Sequence, residues 1–246
     1  MIAREYFDNG LKKGQEGHFE AAIVDFTAAI GLRPDYALAY GNRGICRAKS
    51  GDLSGAVEDY STAISINQNI ALAYYQRGCA RFELNDLAGA FNDFSKSLDL
   101  DDKDFEAYHY RGLVRDYLGD QAGAVRDYSA AIDLNPTDAT AYINRGASLF
   151  DARESVSALE DFDRAIVLDP KDAVAYYNRA MARAGGLNDV AGAIEDCTKA
   201  IELEPETALY FHFRSRLYAS SGDFQRAVED VLMVFELAGA SFTGYN

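Results

Sequence analysis

The stretch ALAYGNRGICRAKSGDLSGAVEDYSTAISINQNI, residues 37–70, runs straight into ALAYYQRGCARFELNDLAGAFNDFSKSLDLDDKD, residues 71–104. Both open on Ala-Leu-Ala-Tyr, carry Arg-Gly at places seven and eight, alanine at place 20 and aspartate at place 23. Self-similarity at a fixed period marks a repeat architecture and is worked outward before anything else. Units in the same frame start at Ala3, Ala37, Ala71, Phe105, Ala139, Ala173 and Ala208, five steps of 34 residues and then one of 35. Place eight is small throughout (Gly10, Gly44, Gly78, Gly112, Gly146, Ala180, Ser215) and place four aromatic (Tyr6, Tyr40, Tyr74, Tyr108, Tyr142, Tyr176, Phe211). Place 20 is alanine in all seven, and the four prolines (Pro34, Pro136, Pro170, Pro205) all stand at place 32.

Each recurring type has a mechanical reason. Small residues at places eight and 20 let two helices approach closely, beside aromatics at place four and at place 24 (Phe26, Tyr60, Phe94, Tyr128, Phe162). Gly51-Asp52, Gly119-Asp120 and Gly222-Asp223 supply a turn glycine and an aspartate able to cap the second helix. Proline at place 32 stops that helix. The reading is an all-α chain of helix, tight turn, helix and break, repeated seven times. The expected domain is one solenoid over 3–238 (repeats 3–36, 37–70, 71–104, 105–138, 139–172, 173–207 and 208–238), followed by a tail at 239–246.

Composition fits. The 246 residues are 48% hydrophobic and 26% charged, which is globular, and no apolar run approaches a membrane span. Met1 to Gly10 lacks the basic start and apolar core of a signal peptide. A net charge of −15 repels a phosphate backbone, so nucleic acid is not an expected partner. Cys46, Cys79 and Cys197 have neither disulfide nor zinc spacing, which points to a reducing, cytoplasmic compartment. The three histidines are scattered, and no catalytic triad, metal set or phosphate-cradling loop is encoded. The expectation is a protein that is not an enzyme and uses no cofactor or metal.

The pattern resembles the tetratricopeptide repeat, with Tyr or Phe standing where that family usually has a place-four tryptophan. The resemblance implies a right-handed α-solenoid, a superhelix of antiparallel helix pairs whose first helices line a concave groove for another protein. The turn Ala184-Gly185-Gly186-Leu187-Asn188 carries the one extra residue, expected to be absorbed as a longer loop.

Place seven, leucine in the family pattern, is Arg43, Arg77, Arg111, Arg145, Arg179 and Arg214, but Asn9 in the first unit, while place 23 is aspartate in all seven. Because the first unit has no predecessor and no arginine, the expected pairing runs between repeats, from Asp25 with Arg43 through Asp196 with Arg214. A second row, Arg47, Arg81, Arg115 and Arg183, could offer the arginines to an acidic ligand instead; arginines in step with aspartates favour the scaffold role.

In the family, groove residues come mainly from places 2, 5, 6, 9, 12 and 13. Place five holds Phe7, Gly41, Tyr75, His109, Ile143, Tyr177 and His212; all but Gly41 are candidate peptide-binding residues, and its Tyr and His residues are expected to face the groove. Place six holds Asn42, Gln76, Asn144 and Asn178, with Tyr110 in the fourth unit; such amides can both donate to and accept from an extended peptide backbone, or bond locally. The carboxylate clamp of chaperone cofactors is missing all but its middle element. The predicted function is therefore a protein–protein interaction scaffold for an extended segment. The alternatives are the targeting arm of a larger enzyme, or a secretion or envelope assembly factor whose leader was removed.

At the last unit Val228 and Phe235 fall at places apolar in all units, and Leu232 and Met233 replace polar or small residues. Leaving them in water forgoes about 1.5–3 kcal/mol each. Three arrangements would cover them: a folded-back tail carrying Phe242 and Tyr245, a homodimer joined end to end through the C-terminal repeat, or a further helix beyond the chain.

Overall fold

The computed structural model describes residues 2–243, with side chains described through residue 239. Among these residues there are fourteen helices and no strand: α1 (Ala3–Gln15), α2 (Phe19–Leu32), α3 (Ala37–Lys49), α4 (Leu53–Ile66), α5 (Ala71–Glu83), α6 (Leu87–Leu100), α7 (Phe105–Tyr117), α8 (Gln121–Leu134), α9 (Ala139–Asp151), α10 (Ser155–Leu168), α11 (Ala173–Gly186), α12 (Val190–Leu203), α13 (Ala208–Ser220) and α14 (Phe224–Thr243). They gather into two compact units, residues 1–120 and 121–246, divided at the turn inside the fourth repeat. In each unit the chain is an α-solenoid: each helix packs on the next, and first helices of successive repeats also touch, as α3 does α5 and α9 does α11.

The small residue at place eight is a steric requirement. A Cβ on Gly10, Gly44, Gly78 or Gly146 would lie 2.7–2.8 Å from the place-24 ring of its own repeat, Phe26, Tyr60, Phe94 or Phe162. Where place eight grows to Ala180 or Ser215, place 24 shrinks to Cys197 or Val231, so the pair conserves volume. Place 15 is left-handed in every repeat: Gly17, Gly51, Gly119 and Gly222, but also Asn85, Arg153 and Asn188 with φ of 62°, 66° and 57°. The next residue caps the second helix as the sequence implies: Asp52, Asp86 and Asp189 accept from the backbone N–H of Gly55, Gly89 and Gly192.

Two expectations need correction. The extra residue of the sixth repeat does not lengthen the loop: Leu187–Asp189 is three residues like Ser50–Asp52, and α11 is instead 14 residues long where other first helices have 13. Glycine is needed there, because a Cβ on Gly186 would meet the hydroxyl of Ser155. The last helix does not stop at the repeat boundary either. α14 runs for 20 residues against 14 in other second helices, with Gly239 at the proline place. The Phe242 side chain and Tyr245, expected to fold back, lie outside the described residues.

Candidate functional site

The site is framed by the charges, and here the expected pairing is wrong. Arg43 donates through Nε and Nη2 to Asp59 of its own repeat at 2.9 and 2.6 Å, not to Asp25. Arg77–Asp93, Arg145–Asp161, Arg179–Asp196 and Arg214–Asp230 repeat this bidentate geometry. Asp25 is held by Lys13 at 2.6 Å. What does run between repeats is the third arginine nitrogen. Nη1 of Arg43, Arg77, Arg111, Arg145, Arg179 and Arg214 donates back to Thr27, Ser61, Ser95, Ser129, Asp163 and Thr198, all at place 25 of the preceding repeat. Asn9 stands in place of the arginine in the first repeat, and Leu232 in place of the oxygen-bearing residue at place 25 of the last. The second arginine row is also internal: Arg47, Arg81 and Arg183 reach Asp59, Asp93 and Asp196 at 3.1, 2.8 and 2.9 Å. These arginines are neutralised by buried carboxylates, and each place-seven guanidinium lies 5.4–5.6 Å from its place-four ring.

With both arginine rows paired internally, the neutral residues of the first helices are the remaining candidates. Tyr75, expected to face the groove, is 8% exposed. It packs edge-on against Tyr110 of the next repeat at 6.0 Å, and burial pushes its phenol up from the ordinary range. Phe7 and Ile143 are buried too, whereas Tyr177 and His109 are half-buried and His212 is exposed. Tyr177 leans on Phe213 of the following repeat, centroids 5.6 Å apart, so place five packs sideways against place six wherever that neighbour is aromatic. The amides at place six are half-buried. Asn42 donates one N–H to the Leu38 carbonyl at 2.8 Å, the local bond foreseen as its alternative use. Gln76 and Asn178 make no side-chain hydrogen bond to any described residue.

Place two borders the amides and is exposed. Leu38 and Leu72 are 54% and 56% exposed in the first unit; Val174 and Leu209 are exposed in the second. Three hollows run along this face of the first unit. One lies between α1 and α3 against Leu11, Asn42 and Ile45, one is bounded by Leu38, Gly41, Asn42, Leu72 and Gln76, and one by Ile45, Tyr75, Gln76 and Cys79. Ile45 lines all three, and Asn42 and Gln76 each line two neighbouring ones, which makes a continuous track. Burial pushes the Cys79 thiol up to about 12, so it lines the track as a neutral group. In the second unit a comparable hollow is lined by Phe150, Met181, Phe213 and Arg216.

At the last repeat Val228, Leu232 and Phe235 are 58%, 56% and 70% exposed and Met233 is half-buried, so the apolar face read from the sequence is uncovered by the described residues. Among those residues no group of three or more His, Cys, Asp or Glu could hold a metal, and no helix is long and apolar enough to cross a membrane.

Comparison with known proteins follows the same lines. Models of the tetratricopeptide repeat match residues 7–70, 71–104 and 173–207, and one described as TPR repeat matches 117–152. No curated protein sequence matches significantly. Among solved structures, YrrB, described as a TPR protein with an unusual peptide-binding site, is 26% identical over 77% of this chain and 97% of its own, with a TM-score of 0.69. MamA from Desulfovibrio magneticus RS-1 is 24% identical over 69% of this chain and 96% of its own, TM-score 0.65. A tetratricopeptide repeat protein from Parabacteroides merdae is 20% identical over 96% of this chain and 93% of its own, TM-score 0.72. Repeat motif, helix pairing and fold agree: the chain belongs to the tetratricopeptide repeat family, whose members are protein-interaction scaffolds.

Proposed function

We propose that this chain is a non-enzymatic scaffold that holds an extended segment of another protein against the open face of its first helices, without a carboxylate clamp. The observation that carries the reading is made in each unit by itself: half-buried amides (Asn42 and Gln76 in the first, Asn144 and Asn178 in the second) on the same helices as, or next to, exposed aliphatic side chains (Leu38 and Leu72, Val174 and Leu209). Amides meet the alternating donors and acceptors of an extended backbone, and the aliphatic row takes side chains. The internal pairing of both arginine rows supports neutral or basic clients over acidic ones, given the net charge of −15. YrrB, similar over most of its length, is described as peptide-binding, which supports the same class of ligand here. The reading places the protein in a reducing, cytoplasmic compartment, with its three cysteines free.

The α14 face is the proposed second contact surface, for another copy of the chain meeting it α14 to α14. Head-to-tail stacking is disfavoured by α1. Places three and ten, buried as Ala39 and Cys46 in the second repeat and buried in every later one, are the exposed Glu5 and Lys12 in the first. An isologous contact closes at two copies. Sedimentation of the wild type and of Leu232→Glu with Phe235→Glu tests it: a dimer that the substitutions dissolve supports it, and a monomer in both refutes it. The groove reading is tested by affinity capture with Gln76, Asn144 and Asn178 all replaced by Ala. Clients lost by the variant support it, and clients kept equally by both forms refute it.

A further inference from the structure

Place five carries a bulky side chain in every repeat but the second, where it is Gly41. A Cβ there would meet no atom within 4 Å, so no neighbour has grown into the space. The result is a small hollow between α3 and α5, walled by Leu38, Ile45, Ile70 and Leu72, with Asn42 and Gln76 beside them and no charged side chain in its lining.

Tyr60 forms part of the same wall. It is 1% exposed, and its hydroxyl has no hydrogen-bond partner. A buried hydroxyl left unpaired is destabilising. Phenylalanine does the same packing at the same place in three other repeats, Phe26, Phe94 and Phe162, without that cost. Burial raises the Tyr60 phenol above its ordinary range, which keeps it a proton donor in search of an acceptor. An ammonium would find no carboxylate in the lining and a carboxylate would be stripped of water against apolar walls, so charged occupants are excluded.

We infer that the Gly41 pocket is the specificity pocket of the track, taking one uncharged side chain of the bound segment with an apolar stem and an acceptor atom near its end, of the glutamine or methionine kind, that accepts from the Tyr60 hydroxyl. This rests on the groove reading above and adds which side chain fixes the register of the segment.

The test selects peptides from a random phage-displayed library on the wild-type protein, then measures synthetic copies of the selected peptide on Gly41→Tyr, Gly41→Ala and Tyr60→Phe. Gly41→Tyr introduces the residue that the third and sixth repeats carry at this place, and Gly41→Ala keeps the test alive if the ring disturbs folding. The expected result is a selected motif with one position rich in Gln or Met. Binding should then weaken by at least about tenfold on Gly41→Tyr, and by up to about tenfold on Tyr60→Phe for the loss of one hydrogen bond. Thermal stability of Tyr60→Phe should be equal to or above wild type. Replacing the favoured side chain by Ala should weaken wild type and leave Gly41→Tyr unaffected. Equal affinity on wild type and both Gly41 variants would overturn the pocket while leaving the groove standing, as would a purely aliphatic or charged motif indifferent to Tyr60→Phe. Peptides that bind undiminished when Gln76, Asn144 and Asn178 are all Ala, or no selected peptide at all, would sink the groove reading with it.

Discussion

Asp93 offers the sharpest test of how the repeats are held together. Its carboxylate accepts from Arg77 Nε and Nη2 at 2.9 and 2.7 Å and from Arg81 Nη1 at 2.8 Å, with its side chain 4% exposed. Removing it by Asp93→Ala leaves two guanidinium groups facing each other with no counter-charge. Breaking a buried pair from one side in this way costs about 3–5 kcal/mol. Arg77→Met is gentler, because Arg81 still neutralises Asp93. The within-repeat geometry predicts a coupling energy for Arg77→Met with Asp93→Asn toward the upper part of the ~0.5–3 kcal/mol range of contacting residues. Arg77→Met with Asp59→Asn, the between-repeat pair that the sequence favoured, should add to within about 0.5 kcal/mol. Because repeat arrays can lose two-state behaviour, urea unfolding should be paired with amide exchange of α5 and α6, which reads the local stability. A coupling to Asp59 as large as that to Asp93 would refute the assignment.

Three further outcomes follow from particular contacts. Gly146→Ala should lose about 1–3 kcal/mol of stability through overpacking, since its Cβ would sit 2.7 Å from Phe162, and should cost almost nothing in a Phe162→Cys background that copies the Ala180–Cys197 pair; equal penalties in both backgrounds would contradict the steric account. Arg153→Gly should raise stability by about 1 kcal/mol, because Arg153 holds a left-handed φ of 66° that an L side chain resists; no gain in the thermal midpoint would show that the turn carries no strain. The Cys197 thiol is pushed up to about 12 by burial, from an ordinary 9.0, so the folded state binds its proton more tightly than the unfolded state. Its contribution is therefore present below about pH 9 and lost as pH rises toward 12; the decline in urea midpoint over that window should be shallower in Cys197→Ala, and an unchanged slope would contradict it.

The fold was written plainly in the sequence because small, aromatic and proline places recur in register and each type has one mechanical use. The arginine ladder was half legible. The place-seven arginine does contact the preceding repeat, but the receiver is the place-25 oxygen rather than the aspartate, and the clue was the oxygen carried at place 25 by each of the first six repeats. Height on the helices could not separate the two aspartates. The extra residue of the sixth repeat was located correctly, yet whether it extends a loop or a helix depends on the room left by Ser155, which no local pattern encodes. Tyr75 was misplaced because burial at place five is decided one repeat away, by the ring of Tyr110. The Gly41 pocket had a visible signal, the only small residue in a bulky row, but a missing side chain becomes a pocket only when no neighbour fills it.

The most direct measurement of the central claim is the structure of the protein with a library-selected peptide bound. The account predicts an extended peptide lying along the first helices of the 1–120 unit, its main chain bonded to the Asn42 and Gln76 amides and one neutral side chain inserted beside Gly41. A peptide seated on the second helices, or bound as a helix away from those amides, would contradict it.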